Sequence, residues 1–248
     1  MTSTSASIED NVLTHWNNLA ENYDRVMADV PQMHDLFVEI VRHIPRGATR
    51  ILDLGAGTGN LLHTIRRSHS HADLVALDPA PAMLAQLKQK MADDTRLACI
   101  VGSAHAIDLP DNSVDAIVSN YALHHLTHDE KKICAREVMR VLRPGGKFIY
   151  GDQHCRLMGG PGDQAWVEDL FRLLVDKALH YLHTAGRDRM LLQVELMPKF
   201  LRAEGEMPVP VEYWLECLAA AGFPPAVLIE MRPAELLNRV IIATKPVG

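Results

Sequence analysis

The sequence predicts an α/β fold built on a mainly parallel sheet, and three observations carry that prediction. Residues 51–60, ILDLGAGTGN, read as a buried strand that ends on an acid and breaks into a loop with glycines at 55, 57 and 59. A second apolar run, LVALD, closes on Asp78 about 20 residues farther on. Short apolar runs then alternate with segments of helical periodicity as far as residue 150. Strands alternating with helices stack in parallel and bind ligands beyond their carboxyl ends, where Asp53 and Asp78 both stand.

Taken in order, HWNNLAENYDRV places Trp16, Ala20 and Tyr23 on one face of a helix. In the loop that follows the first strand, each glycine omits a side chain that would hold the backbone away from a ligand. The dinucleotide spacing G-x-G-x-x-G fails here: its third glycine would fall on Asn60 counted from Gly55, or on Leu62 counted from Gly57. A nicotinamide dehydrogenase is therefore disfavoured, and without a following Gly-Lys-Ser/Thr so is a phosphate loop. Asp78 can accept two hydroxyl protons or simply cap the helix that begins in PAPAML. Residues 97–101 and 114–119 read as two further buried strands, with Ser103 and Ala104 after the first and Asn120 closing the second. EVMRVLRPGGKFIYGD then reads as a helix stopped by Pro144, a turn at Gly145-Gly146 and a strand through Tyr150.

From residue 151 to 210 this rhythm is interrupted. Residues 164–183 and 187–205 have apolar side chains recurring at three and four, which predicts two amphipathic helices inserted over the ligand pocket. Gly159, Gly160 and Gly162 before them are suited to a hinge or to an ordinary loop. VEYWLECLAAAGF predicts a helix ending at Gly222, and the runs 226–231 and 239–244 a closing hairpin.

Asp53-x-Gly55-x-Gly57-x-Gly59, the acid at Asp78, the strands flanking Ser103 and Asn120, and the helix, proline-glycine-glycine and strand segment resemble, in order, the class I S-adenosylmethionine-dependent methyltransferases. Within them the resemblance is to the small-molecule type of ubiquinone and menaquinone biosynthesis, and it covers residues 15–155. It implies a three-layer Rossmann-like sandwich whose seven-stranded, mostly parallel sheet runs 3-2-1-4-5-7-6 with the last strand antiparallel. It also implies S-adenosyl-L-methionine as cofactor, with Asp53, Gly55 and Gly57 against its methionine and ribose. By the same resemblance Asp78 binds the ribose, Pro79 and Met83 flank the adenine, and Asn120 faces the methionine end or the acceptor. Family members carry an acid and a small residue near the adenine amino group where this chain has Ser103 and Ala104; Ser103 accepts one hydrogen bond but brings no charge. A tyrosine in the pattern W-x-x-x-A-x-x-Y-D, here Tyr23, covers the cofactor's carboxylate in similar enzymes. The expected organisation is one methyltransferase domain: helices over 1–45, a cofactor-binding core over 46–152, a helical lid over 153–210, and a closing helix and hairpin over 211–248.

Methyl transfer from a sulfonium needs an aligned nucleophile and, for a hydroxyl or a protonated amine, a proton acceptor. His124 and His125 follow the fourth strand while Asp152 and His154 follow the fifth, so the four are the candidates to converge over the methyl position. One of two adjacent histidines in such a loop usually turns inward to support the backbone. No metal is expected, because neighbouring histidines have poor geometry for joint coordination.

A formal net charge of -6 argues against a broad phosphate-binding surface, so nucleic acid is disfavoured as acceptor. No apolar stretch approaches a membrane span, and the polar start MTSTSASIED lacks the regions of a signal peptide, which together predict a cytoplasmic protein with a frayed start. Cys99, Cys134, Cys155 and Cys217 form no C-x-x-C pair and are expected as reduced thiols, Cys155 as a small buried hydrophobe or, less simply, a thiolate near the pocket. The function expected is transfer of a methyl group to oxygen, nitrogen or carbon of a small metabolite, with self-association left open. The competing readings are a cofactor-binding scaffold without transfer activity and an aminopropyl transferase; the second lacks the acid cluster a polyamine would need.

Overall fold

Side chains that alternate between two hydrophobic layers define the strands of this protein. On β-strands successive residues face opposite sides, and here Leu52, Ile117, Phe148, Tyr150 and Ile241 enter one layer while Ile51, Ala116, Val118, Ile149 and Val240 enter the other. The computed structural model describes residues 8–27 and 30–247. The first seven residues of the polar start lie outside them.

In chain order the elements are α1 (Ile8–Met27), α2 (Pro31–His43), β1 (Arg50–Leu54), α3 (Asn60–Ser68), β2 (Asp73–Asp78), α4 (Pro81–Lys90), β3 (Leu97–Val101), β4 (Val114–Asn120), α5 (His128–Val141), β5 (Leu142–Gln153), α6 (Gln164–Thr184), α7 (Gly186–Arg202), α8 (Val211–Ala220), β6 (Val227–Glu230) and β7 (Asn238–Thr244). They form one seven-stranded sheet in the order β3-β2-β1-β4-β5-β7-β6, in which β7 runs antiparallel to both neighbours. The implied strand order is the one observed. Helices α2, α3 and α4 cover one face and α5 and α8 the other, giving three layers. Among the described residues no helix is long and apolar enough to cross a membrane.

Two local readings of the sequence are corrected. Helix α5 stops at Val141, before Pro144, and Leu142 already pairs with Val114. Residues 143–146 then bulge from β5, with Gly145 at φ 78°, before pairing resumes between Lys147 and Ala116. Proline and glycine thus make a bulge inside a strand, because the strand partner is already engaged when the helix ends. The glycines 159, 160 and 162 do not take positive φ. A Cβ at Gly159 would lie 2.6 Å from Cβ of Trp166, so this glycine makes room for the aromatic anchor of α6 and is no hinge.

Helix α1 is held against the glycine loop by polar contacts. Asp24 Oδ1 accepts from Thr58 Oγ1 (2.6 Å) and Asn60 Nδ2 (2.9 Å), while Lys90 lies 2.5 Å from its other oxygen. Trp16, Ala20 and Tyr23 do share one face, packed on Ala80 and Met83. Helices α6 and α7 build a small core of their own from Trp166, Leu170, Leu173, Leu174 and Phe200.

At the opposite, amino-terminal end of the sheet, Asp115 ties three segments together. Its Oδ2 accepts from Thr49 N and Oγ1 (both 2.7 Å) and Arg50 N (3.0 Å), and Arg143 donates to its Oδ1 at 2.6 Å. Partial burial opposes its charge, but these donors outweigh it and hold the carboxyl below its usual range. A depressed carboxyl stabilises the fold above its unfolded pKa and loses that contribution as pH falls. Asp115→Ala is expected to lower unfolding free energy by about 1–3 kcal/mol at neutral pH, with the difference shrinking in acid. Urea denaturation of both proteins at pH 7 and at about pH 3 checks it; an equal difference at both would dismiss the assignment.

Candidate active site

Strand β1 ends at Leu54 because the next backbone groups are claimed by β2: Gly55 N and Ala56 N both donate to the Leu77 carbonyl, at 2.8 and 3.1 Å. The chain then turns through Gly55, Gly57 and Gly59 at φ 73°, 53° and 82°. A Cβ on Gly55 would overlap that of Ala122, whereas one on Gly57 would meet nothing within 4 Å on the open side of the loop. Asp78 fixes the bend from outside: its Oδ2 accepts from Gly57 N and its Oδ1 from Ala80 N, each at 2.8 Å. The N-cap of α4 is Ala80 and receives no side-chain cap, so the reading of Asp78 as that cap is corrected: its carboxylate braces the two loop N–H groups that precede the helix.

These elements frame a cavity of about 360 Å³ whose wall includes Tyr23, Asp53, Gly55, Gly57, Asp78, Pro79, Met83, Ser103, Ala104 and Asn120. Every residue that the resemblance assigned to a cofactor lines this one space. Within it Asp53 is 1% exposed, and its Oδ1 and the Oδ1 of Asn120 have no hydrogen-bond partner. Burial and the neighbouring Asp78 push the Asp53 carboxyl up to about 8. Burial also raises Asp78, moderated by the backbone N–H groups of Ala80 and Gly57. Ser103 Oγ is engaged with His105 Nδ1 at 2.7 Å.

A second cavity of about 70 Å³ adjoins the first. Trp16, Tyr23, Met33, Tyr121 and His125 line both, so they form the common wall. Tyr121 holds φ 48°, a conformation rare for a bulky residue and concentrated at ligand clamps. The inserted helices α6 and α7 line this second cavity through Tyr181, Arg189, Leu192, Gln193 and Leu196 and do not reach the larger one. The lid therefore covers the smaller chamber, because α1 already occupies the space above the glycine loop.

The four candidate bases do not converge on a common point. His124 turns inward: Asp152 accepts from its backbone N (3.1 Å) and lies 2.7 Å from its Nδ1, and Glu206 lies 3.2 Å from its Nε2. Burial opposes a charge there, yet Asp152 and Glu206 together hold His124 up at about 9, an imidazolium between two carboxylates. Asp152 is buried behind the wall, where it also accepts from the hydroxyl of Tyr150 (2.8 Å) and from Gln153 N (2.7 Å). Burial works against its charge, but His124 keeps it at about 2. His154 is likewise buried outside both cavities, 3.2 Å from the Val209 carbonyl and edge-on to Tyr150, and burial lowers it to about 4. The sequence order placed Asp152 and His154 beyond a strand end, but β5 runs on to Gln153, and this extension carries both behind the wall.

His125 alone of the four lines the larger cavity. Its Nδ1 lies 2.6 Å from the Gly205 carbonyl, which can only accept, so Nδ1 carries the hydrogen and Nε2 the lone pair. Burial and the adjacent His124 cation push His125 down to about 4, leaving it neutral at physiological pH. Ligand atoms of His124, His125 and Glu206 fall within 4.8 Å of one another. Cys155 is buried with its thiol pushed up to about 12 by burial, so it is no thiolate.

Glu206, Arg189, Gln193 and Tyr121 escaped the sequence reading. Glu206 lies in an irregular return with no motif. Arg189, however, shares a helical face with Leu192, Leu196 and Phe200, and a cation on that apolar stripe is a legible irregularity.

Residues 51–146 match a family described as methyltransferase domain. The chain is 32% identical to the malonyl-[acyl-carrier protein] O-methyltransferase of Halorhodospira halophila over 60% of its own length and 52% of that protein. It is 29% identical to the ubiquinone/menaquinone biosynthesis C-methyltransferase UbiE of Dinoroseobacter shibae over 75% of its length and 74% of that protein. The chain spans about half the length of the first curated relatives it matches. The solved structure of PigF with SAH superposes with a TM-score of 0.64 over 97% of this chain and 62% of PigF, at 19% identity, which is a likeness of fold.

The glycine loop separates two effects of adding one methyl group. Gly57→Ala meets only backbone strain and is expected to cost about 1–2 kcal/mol. Gly55→Ala adds overlap with Ala122 and is expected to cost about 3 kcal/mol or more. Thermal unfolding of the two variants ranks them, and equal losses would refute the close packing of Gly55 on Ala122.

Proposed function

We propose that this chain, which matches a methyltransferase-domain family over residues 51–146, is a class I S-adenosylmethionine-dependent methyltransferase, an enzyme methylating oxygen, nitrogen or carbon of a small metabolite with S-adenosylhomocysteine as the other product. The observation that carries this reading is the pair of adjoining cavities with His125 in their common wall. The larger suits the cofactor in size and chemistry: two glycines at positive φ open the backbone, and Asp53 and Asn120 present unpartnered oxygens. Asp78 retains lone pairs that would take the ribose hydroxyls, Ser103, Ala104, Pro79 and Met83 would hold the adenine, and Tyr23 would cover the carboxylate. When bound, S-adenosylmethionine supplies an electrophilic methyl group on a sulfonium sulfur. The small volume of the second cavity and its apolar lining support a small acceptor, as in the UbiE relative, over a macromolecule.

Within this reading the residues divide the work by protonation state. His124, locked as an imidazolium, orients the turn and cannot accept a proton. His125, neutral with its tautomer set by Gly205, offers Nε2 as a general base for an acceptor hydroxyl or ammonium.

Two experiments test the proposal. Incubated with methyl-labelled S-adenosylmethionine and a metabolite extract, the protein is expected to label a small molecule. His125→Gln is expected to lower that turnover about 10²–10⁴-fold while leaving S-adenosylhomocysteine affinity within about threefold. Tight cofactor binding without any transferred methyl would leave a binding protein in place of an enzyme.

The second experiment uses the raised Asp53. Below about pH 8 the free carboxyl keeps a proton, which it must release to receive the cofactor's ammonium. Affinity for S-adenosylhomocysteine is therefore expected to climb as pH rises from about 6 and to level off near 8. Calorimetry across that range should show matching proton release, and a flat profile in wild type would remove Asp53 from the ammonium site.

A further inference from the structure

The second cavity is lined by one arginine, Arg189, and one carboxylate, Glu206, and the two do not pair with each other. Arg189 on α7 is only 8% exposed, yet among the described residues no carboxylate lies within ion-pair distance of its guanidinium. Its plane is 3.8 Å from the centroid of the Tyr181 ring, and two of its nitrogens reach Gln193 Oε1 only at 3.4 and 3.5 Å. Its Nε is buried with no partner. Because arginine only donates, Gln193 must turn its carbonyl oxygen toward it, and the amide Nε2 is then left buried and unpartnered as well. Both side chains line the second cavity. A buried guanidinium is costly when unpaired, and an adjacent unused amide donor makes the shortage one of acceptors.

The carboxylate among the lining residues, Glu206, is turned toward the histidines and away from Arg189, although its Oε2 makes no well-aligned hydrogen bond. Glu206 faces His124 at 3.2 Å and His125 at 3.7 Å, and Asp152 holds the far side of His124. Behind the wall Lys177 donates to Gln153 Oε1 at 2.8 Å, a further positive group whose charge burial suppresses, lowering it to about 7. Arginine presents a planar fork that matches a carboxylate bidentately, and Tyr181 holds that fork by stacking. Of the other charged groups in the lining, His124 and Glu206 offset each other, and no lysine or second arginine is present, so the site matches one negative charge and lacks the donors a phosphate dianion would need.

We propose that the methyl acceptor carries a carboxylate, bound by the guanidinium of Arg189 with the amide of Gln193 as an additional donor, and an apolar body lying along Val30, Met33, Leu192 and Leu196. This anchor sets which small molecules are accepted and holds the reacting atom toward the common wall at His125. It rests on the methyltransferase reading for the word acceptor, while the anion site stands on Arg189 and Gln193 themselves. The cofactor's own carboxylate is the alternative source of the same chemistry, but Arg189 lines the smaller cavity and not the one framed by the glycine loop.

The test titrates the 248-residue protein, saturated with S-adenosylhomocysteine, with benzoate, phenylacetate and hexanoate, each compared with its primary amide by calorimetry. At least one carboxylate is expected to bind tenfold or more tightly than its amide, with the preference abolished in Arg189→Gln and partly kept in Arg189→Lys. S-adenosylhomocysteine affinity is expected to stay within threefold in both variants. Equal affinity for acids and amides, a preference that survives Arg189→Gln, or no binding by any acid would overturn the proposal. Loss of S-adenosylhomocysteine binding in folded Arg189→Gln alone would reassign the arginine to the cofactor's carboxylate and overturn it too. Failure of the wild type to bind S-adenosylhomocysteine would instead remove the methyltransferase reading, with the acid-against-amide comparison on the unliganded protein still deciding the anion site. Should the glutamine variant misfold by circular dichroism, Arg189→Met, which keeps the apolar stem, replaces it, and the wild-type comparison decides on its own.

Discussion

A single buried imidazolium organises the chemistry of this protein. His124 is gripped by Asp152 from the end of β5 and by Glu206 from the return of the inserted helices, so one side chain after β4 ties three separate segments together. Removing either carboxylate would leave a buried charge short of its partner, an arrangement far less stable than the intact cluster. The same cation repels a proton from the adjacent His125, whose ring centroid is 4.1 Å away. One histidine is held charged and structural so that its neighbour is held neutral and available. Lys131, fully buried beneath this turn, donates to the carbonyls of Leu126 and Met207 and fixes the backbone that carries both rings.

The glycine loop depends on a comparable division of labour. Asp78 spends part of its accepting capacity on the backbone of Gly57 and Ala80, so the residue expected to meet the ligand is also the brace that shapes the ligand's cradle. Asp24 does the equivalent from α1, drawing Thr58 and Asn60 onto one carboxylate oxygen and Lys90 onto the other. This is why α1, outside the helical layers that cover the sheet, forms a wall of both cavities.

How much of this was legible follows from the range of the interactions involved. The strands, the positive-φ glycines and the acids at strand ends are local features, written in runs of a few residues, and with the family resemblance they carry, they pointed to ten of the residues that line the larger cavity. The fate of Asp152 and His154 was not local: it depended on β5 pairing with β7 through Gln153, which carries both behind the wall. The bulge at Pro144 depended likewise on Leu142 finding Val114. Glu206 and Arg189 belong to an insertion whose path no motif specifies, and only the position of Arg189 on an apolar helical face marked it out. Long-range pairing decides which polar residues line a cavity and which are buried behind it.

The two chambers are electrostatic opposites, and their contrast constrains any ligand pair that fills them. The larger holds a carboxyl that burial keeps protonated until a cation arrives, since Asp53 has an unpartnered oxygen and no basic side chain beside it. The smaller is lined by a guanidinium with no carboxylate at ion-pair distance, Glu206 there being set against His124. A buried carboxyl without a full set of partners and a buried guanidinium without an anion are each unfavourable alone, and each becomes favourable when a ligand supplies its complement. Ligands of opposite sign in adjoining cavities also attract each other across the shared wall of Tyr121 and His125, so filling one chamber favours filling the other. A molecule missing either complementary charge would occupy the same volume and leave a buried polar group unpaired, which is how these two groups would select a ligand pair.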